Sequence, residues 1–325
     1  MSAEKRYDIV ALGEILVDFT PHGESEQGNS LLEVNPGGAP CNVLAMAAKL
    51  GAKTAFIGKV GDDSFGRMLK ETADRAGICT DGLILDDSVF TTLAFVHLDA
   101  AGDRSFSFCR KPGADTCLRK EEMKTELIRA AKVFHFGTLS MTDEPAVSAT
   151  KAAVALAKES GALISFDPNI RPLLWKDMEQ AKKAMQWGFA QCDILKISDD
   201  ELRLVSDTEN PAQAMECLLV QYPNIRLLFV TMGADGCCWR YGTGSGKCAA
   251  PHVQMVDTTG AGDTFMGCCL AETARLGIDR LTEENLREIV AFANSAAALV
   301  TTKKGAMKSM PDKAEVLRLM EKTYH

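Results

Sequence analysis

The 325-residue sequence contains no apolar run long enough to cross a membrane. It also lacks an excess of basic charge: 36 Lys and Arg stand against 44 Asp and Glu, a formal net charge of -8. That balance excludes a nucleic-acid-binding surface as the main business, so neither membrane nor nucleic acid is expected as a partner. Residues 1–7 are polar and lack the apolar core of a signal peptide. Metal and disulfide patterns are missing too. The 11 cysteines are scattered without a C-x-x-C, and the 5 histidines show no metal-ligand spacing. Reduced thiols in a cytoplasmic protein fit that pattern better than a disulfide framework or a zinc site. Internal repeats, low-complexity tracts and long linkers are absent. With 46% apolar and 25% charged residues, the chain reads as an ordinary soluble globular protein.

What is present is an alternation of strands and helices. Residues 8–13 form a short apolar run ending in glycine, as in a buried strand. An alanine-rich stretch at 43–51, stopped by glycine, predicts a helix, followed by a strand at 55–61 and a helix at 63–76. From residue 132 the rhythm resumes, with strands at 133–136, 162–166, 194–197 and 226–231. Helices are expected between them at 144–160, 178–190 and 211–221, and the tail is helical with its strongest stretch at 285–300. The nearly continuous apolar run at 226–231 is the pattern of a strand covered on both faces. Repeated strand–helix units predict an α/β fold with a mostly parallel sheet and helices on both sides.

Two stretches break the rhythm. Residues 91–98 and 104–110 are β-rich, with a hairpin loop expected at 99–103. Residues 14–34, with a polar turn at 20–30 and a returning strand at 31–34, could pair with that hairpin. The result would be a small β lid, formed by about 14–35 and 90–111 within a single domain of residues 1–325. Its open edges could pair with a second subunit to give a homodimer. A further β excursion is expected at 237–241 and 247–256.

Chemistry concentrates in Asp257-Thr258-Thr259-Gly260-Ala261-Gly262-Asp263, which runs into an apolar helix at 265–276. Gly260, Ala261 and Gly262 can turn successive backbone amides toward one point at a helix N-terminus, where the dipole favours an anion. Asp263 places a carboxylate inside that nest. Phosphoryl transfer requires these two things, charge stabilisation and a carboxylate for the attacking hydroxyl. A second glycine turn, Gly37-Gly38-Ala39-Pro40-Cys41-Asn42, opens the helix at 43–51, and Asn42 offers donor and acceptor to a polyol. Two other glycine-rich stretches are incomplete. Residues 242–248 resemble a Walker A loop but have Tyr241 and Cys248 at positions the motif reserves for Gly and Ser/Thr. A hairpin tip is expected there. Gly233-Ala234-Asp235-Gly236 lacks the dinucleotide fingerprint and its helix.

These residues together resemble the ribokinase-like, or PfkB, carbohydrate kinases over essentially the whole chain. The first glycine turn with Gly51, Gly61-Asp62-Asp63 and Gly66 is similar to that family's N-terminal signature, and residues 257–263 to its C-terminal one. The resemblance implies a Rossmann-like, doubly wound sheet with a β lid. It also implies Asp263 as catalytic base, Gly260, Ala261 and Gly262 as anion hole, and Asp18, Gly37, Gly38 and Asn42 as sugar-binding positions. For ATP it implies Thr231, the turn from Gly233 to Gly236, and Asn294 beside the adenine. Lys196 to Glu201 stands where the family has N-x-x-E; Ser198 replaces the Asn, leaving Glu201 to tune Mg2+ and phosphate indirectly. A monovalent-cation site, usually for K+, is implied at Asp257, Thr259, Val300, Lys303, Gly305 and Ser309.

For the acceptor, Arg110-Lys111-Pro112-Gly113-Ala114-Asp115 and Asp167-Pro168-Asn169-Ile170-Arg171 look most like fructokinases. The expected activity is therefore ATP-dependent phosphorylation of the primary hydroxyl of fructose to fructose 6-phosphate. Arg110 and Arg171 are the cations that would read the substrate. The alternative is 2-keto-3-deoxygluconate kinase, whose sister group shares a D-x-N-x-R element. A catalytically inactive, kinase-like binding protein is the remoter alternative.

Overall fold

The computed structural model describes residues 5–98, 104–206, 208 and 210–324. The first half of the chain forms β1 (Tyr7–Leu12), β2 (Leu16–Glu24), β3 (Ser30–Gly37), α1 (Ala39–Lys49), β4 (Thr54–Gly61), α2 (Ser64–Arg75), β5 (Ile78–Asp86), β6 (Leu93–Leu98) and β7 (Arg104–Cys109). Then come α3 (Thr125–Arg129), β8 (Ala131–Gly137), α4 (Ala146–Glu159), β9 (Leu163–Asp167), α5 (Met178–Gln191), β10 (Ile194–Ser198), α6 (Asp199–Val205), α7 (Pro211–Gln221) and β11 (Leu227–Thr231). The last stretch is β12 (Cys237–Tyr241), β13 (Gly244–Cys248), α8 (Ala261–Leu276), α9 (Glu283–Val300) and α10 (Lys313–Tyr324).

Nine strands make one sheet in the order β13-β12-β11-β10-β9-β8-β1-β4-β5. All neighbours from β11 to β5 are parallel, and β12 and β13 join antiparallel. The order reverses at β1: the chain leaves it through β4 and β5, then returns to its other side as β8. In such sheets a crevice opens at the carboxyl ends of the strands beside the reversal.

Both faces of the sheet are covered. Successive strand residues point to opposite sides, and Ile9 and Ala11 enter one core while Val10 and Leu12 enter the other. In β11 Leu227 and Phe229 go one way, Leu228 and Val230 the other. That division explains the unbroken apolar run, and each such side chain contributes roughly 1.5–3 kcal/mol on burial. Phe265 of α8 meets Phe229 edge-on at 5.6 Å, which docks α8 on β11.

Helices α1 and α8 pack unusually closely because of Gly267. A Cβ there would stand 2.6 Å from the Val43 carbonyl oxygen, a backbone atom with nowhere to go. Gly267→Ala should therefore push α8 off α1 and cost about 1–3 kcal/mol of stability. Turnover should fall as well, since the two helices carry Asn42 and Asp263. Urea unfolding and kcat on the same preparation check this; a variant as stable as the wild type would contradict the packing.

A separate four-stranded sheet, β3-β2-β6-β7, stands over the carboxyl ends. Phe19 of β2 stacks on Phe95 of β6 at 4.9 Å and meets Phe65 of α2 edge-on at 5.6 Å. Its edge strand β3 exposes Leu31, Leu32 and Val34. The hairpin loop expected at 99–103 lies outside the described residues. No helix among the described residues is long and apolar enough to cross a membrane.

Some elements differ from the sequence expectation. The polar turn expected at 20–30 is narrower, occupying 25–29, since β2 runs to Glu24 and pairs with β3 from Ser30. Strand β5 was not expected: polar residues interrupt its pattern, yet its backbone completes the sheet edge beside β4. Helix α6, at seven residues, is too short to show a period. The strand expected at 247–256 ends as β13 at Cys248, short of Pro251, which has no N–H for a ladder. The Walker-like stretch is the hairpin between β12 and β13.

Candidate active site

A cleft of about 670 Å³ opens where the strand ends face the smaller sheet. Glu14 follows β1, Asn169 to Arg171 follow β9, and Ser198 and Thr231 end β10 and β11. Asp18, Asn35, Val96 and Phe108 line it from the smaller sheet.

Its floor is the N-terminus of α8. Gly260 is the N-cap, with a φ of 77° that favours glycine, and a Cβ there would lie 2.5 Å from the Ala306 Cβ. Ala261, Gly262 and Asp263 form the first turn, and all three line the cleft. Asp263 is 8% exposed and its Oδ2 accepts a 2.8 Å hydrogen bond from Asn42 Nδ2. Thus the two glycine turns, 221 residues apart, meet in one contact. Burial raises the Asp263 pKa to about 6; the bond from Asn42 opposes this, Asp167 adds to it, and Lys196 and Arg171 oppose it. A carboxylate so placed is ionised at neutral pH yet basic enough to take a proton.

Two more acids line the cleft. Asp18 is raised to about 7, by burial first and by the charges of Asp257 and Asp263, against the pull of Arg171. Glu14 is also raised to about 7 by burial, and its Oε1 accepts from the Ala39 N–H at 2.9 Å. Glu14 was not singled out from sequence, where it is only the acid after an apolar strand; that break is the one signal it gives. Gly38 and Asn42 line the cleft, while Gly37 lies just behind them.

Asp257 organises the loop beside the anion nest. Its Oδ1 accepts from the Thr259 N–H at 2.9 Å and hydroxyl at 2.7 Å, and its Oδ2 accepts from the Gly305 N–H at 3.0 Å. Ser309 donates to the Lys304 carbonyl at 2.6 Å, and the Lys303 N–H to that of Val300 at 3.3 Å. The Lys303 side chain is exposed, so only its carbonyl can contribute inward. Carboxylate, hydroxyl and carbonyl oxygens are a hard donor set that suits an alkali cation.

Lys196, Glu201 and Thr231, expected toward the nucleotide, also reach the cleft. Both Glu201 oxygens are engaged, Oε1 by the Ile170 N–H at 2.7 Å and Oε2 by the Ser198 N–H at 2.9 Å. Ser198 and Glu201 form the capping box of α6, so serine here does the work of a helix cap. Gly233 and Gly236 form a turn outside the cleft lining. Asn294 does not line the cleft either: its carboxamide is buried and donates to the Cys248 carbonyl at 2.9 Å, fixing the chain that leaves β13.

The two arginines part company. Arg171 is exposed on the cleft wall. Arg110, expected to read substrate, is buried outside the lining. It pairs with Asp115 at 2.7 Å and donates to Thr142 Oγ1 at 2.9 Å and the Leu139 carbonyl at 2.7 Å. Burial of an ion as costly as guanidinium selects such a saturated set of partners. Among the described residues no group of His, Cys, Asp and Glu could hold a metal by itself.

The profile of the pfkB family of carbohydrate kinases matches residues 6–313. Probable fructokinase-2 of Arabidopsis thaliana is 41% identical over 318 residues, covering 96% of this chain and 95% of that protein. The structure of a fructokinase with bound ATP from Xylella fastidiosa superposes with a TM-score of 0.89 at 33% identity, covering 98% of this chain and 100% of that one. A double-mutant fructokinase from Vibrio cholerae O395, in a form with fructose, ADP and potassium ion bound, gives 0.86 at 30% identity, covering 98% and 99%.

Proposed function

The chain belongs to the pfkB family of carbohydrate kinases, and from that premise we propose that it transfers the γ-phosphoryl group of ATP to the primary hydroxyl of fructose. The product is fructose 6-phosphate. The observation that carries this reading is Asp263, a buried carboxylate in the first turn of α8, with cleft on one side and Asn42 on the other.

Asp263 takes the hydroxyl proton as the oxygen attacks phosphorus in line. Asp18, Gly38 and Asn42 hold the sugar on the acceptor side. The amides of Gly260, Ala261 and Gly262 receive the charge that spreads over the migrating phosphoryl oxygens. Bound Mg2+ would neutralise the nucleotide phosphates there, with Glu201 shaping the site through the backbone it holds. A K+ ion held by Asp257, Thr259 and the oxygens of residues 300–309 would stiffen the nest. The smaller sheet closes as a lid and excludes water, a competing acceptor.

A base must be unprotonated to act. With the Asp263 pKa raised to about 6 by burial, kcat/KM should fall about tenfold per pH unit below that value. A pH–rate profile with saturating Mg2+ and K+ checks it; a flat profile down to pH 5 would rule out Asp263 as the titrating base.

The deciding assay is ADP release with fructose, 2-keto-3-deoxygluconate, ribose and nucleosides, with and without K+. Fructose should give the highest kcat/KM. Preference for the keto acid, abolished in Arg171→Ala, would overturn the choice of sugar, since a carboxylate depends on bidentate arginine pairing. Sugar binding without ADP release would instead indicate an inactive binding protein.

A further inference from the structure

Behind the anion nest lies a pair of charges that the steps above do not use. Asp167 ends β9, is 2% exposed and does not line the cleft, whereas Lys196 of β10 does. The register that pairs Leu195 with Phe166 brings the two side by side. Lys196 Nζ donates to Asp167 Oδ2 at 2.9 Å. On its other side Nζ lies against Gly262, where a Cβ would be only 2.8 Å away. The ammonium is therefore wedged between Asp167 and Gly262, the last residue of the Gly260–Gly262 turn.

A buried lysine tends to lose its proton. Here burial does work to lower the Lys196 pKa, but Asp167 first, then Glu201 and Asp263, raise it above its ordinary value. Among the described residues no second cation forms an ion pair with Asp167. His135, on neighbouring β8, is pushed down to about 3 by burial and by Lys196 itself, and so is neutral. Among the described residues no donor reaches Asp167 Oδ1. Asp167 also borders a cavity of about 10 Å³ shared with Glu14, His135 and Thr138, the size of a single water.

We propose that Asp167 is a positioning residue for phosphoryl transfer, holding the Lys196 ammonium fixed against Gly262 so that a full positive charge backs the anion nest. This deepens the kinase reading above and rests on it. Negative charge on the transferring group is spread most widely in the transition state. A pre-placed ammonium meets it without reorganising, whereas an untethered lysine side chain would have to be brought in at that moment. The contribution therefore belongs to kcat rather than to ground-state affinity.

The test is a double-mutant cycle: kcat and both KM values for wild type, Asp167→Asn, Lys196→Met and the double variant, with whichever sugar the wild type accepts. Asp167→Asn should lower kcat about 10–100-fold with both KM values nearly unchanged. The double variant should be no slower than Lys196→Met, because Asp167 acts through Lys196. Multiplicative losses, a loss carried by KM, or wild-type kcat in Asp167→Asn would overturn the proposal. Should a single variant misfold around its unpaired charge, the double variant, which buries neither charge, decides alone: wild-type kcat in it overturns the proposal, a lowered kcat with unchanged KM values supports it. Wild-type enzyme that phosphorylates no sugar would be a different result, the failure of the kinase reading itself.

Discussion

Asp263→Asn should reduce kcat by at least about 10²–10⁴-fold, the usual contribution of a positioned base, while leaving the protein as stable as before or more so. The substitution is isosteric, and the new side chain can still present an oxygen to Asn42 Nδ2. What it removes is a charge that the fold holds at a cost. Burial raises the Asp263 pKa from 3.8 to about 6. A group raised in this way favours the folded state below its unfolded value and loses that contribution as pH rises through the folded one. At pH 7 the native carboxylate is therefore destabilising, by on the order of 3 kcal/mol at most. The expected pair of results is a near-dead enzyme with an unchanged or raised melting temperature. Near-normal turnover would remove Asp263 from the mechanism, and a collapse in stability would mean that its place is structural.

The second large effect concerns Arg110. Arg110→Ala should destabilise the fold by roughly 3–5 kcal/mol, the usual result of leaving a buried charge without its partner. Asp115, buried beside Arg110, would keep the hydroxyl of Thr92 as donor but have nothing to balance its charge. The Leu139 carbonyl and Thr142 would lose a donor as well. Arg110→Lys should rescue little, because one ammonium cannot reproduce a planar fork that serves three partners. Urea unfolding at neutral pH measures the loss directly. Were Arg110 instead a reader of the sugar, KM for the acceptor would rise with the unfolding midpoint unmoved.

These two residues mark the limits of what the sequence discloses. Asp263 is legible because its setting is local: glycines, acid and helix are consecutive, and their spacing alone puts a carboxylate in the first turn of a helix that a glycine opens. Asn42 is nearly as legible, since it opens a helix after a second glycine turn, but its bond to Asp263 depends on the close approach that Gly267 permits. The parallel sheet follows from alternating apolar runs buried on both faces. Arg110 is opaque for the opposite reason. Asp115 closes the R-K-P-G-A-D motif itself, but Leu139 and Thr142 lie far along the chain, and nothing in the motif separates an arginine paired with its own acid from one facing a ligand. Glu14 is hidden in the same way, as a lone acid after an apolar strand. Asp167 stands in the D-x-N-x-R element, yet only the fold reveals that it pairs with Lys196 behind the cleft. Asn294 sits on a strongly predicted helix, yet helical periodicity does not say that the chain leaving β13 takes up its carboxamide.

The uneven charge of the cleft wall has a consequence for the cycle as a whole. Six acidic residues, Glu14, Asp18, Asp200, Glu201, Asp257 and Asp263, border it against two basic ones, Arg171 and Lys196. A neutral polyol enters such a bowl without electrostatic opposition. Its phosphate ester, carrying close to two negative charges at neutral pH, leaves against none. The acidic wall thus sets no electrostatic barrier to a neutral acceptor and weakens the hold on its charged ester, which favours release.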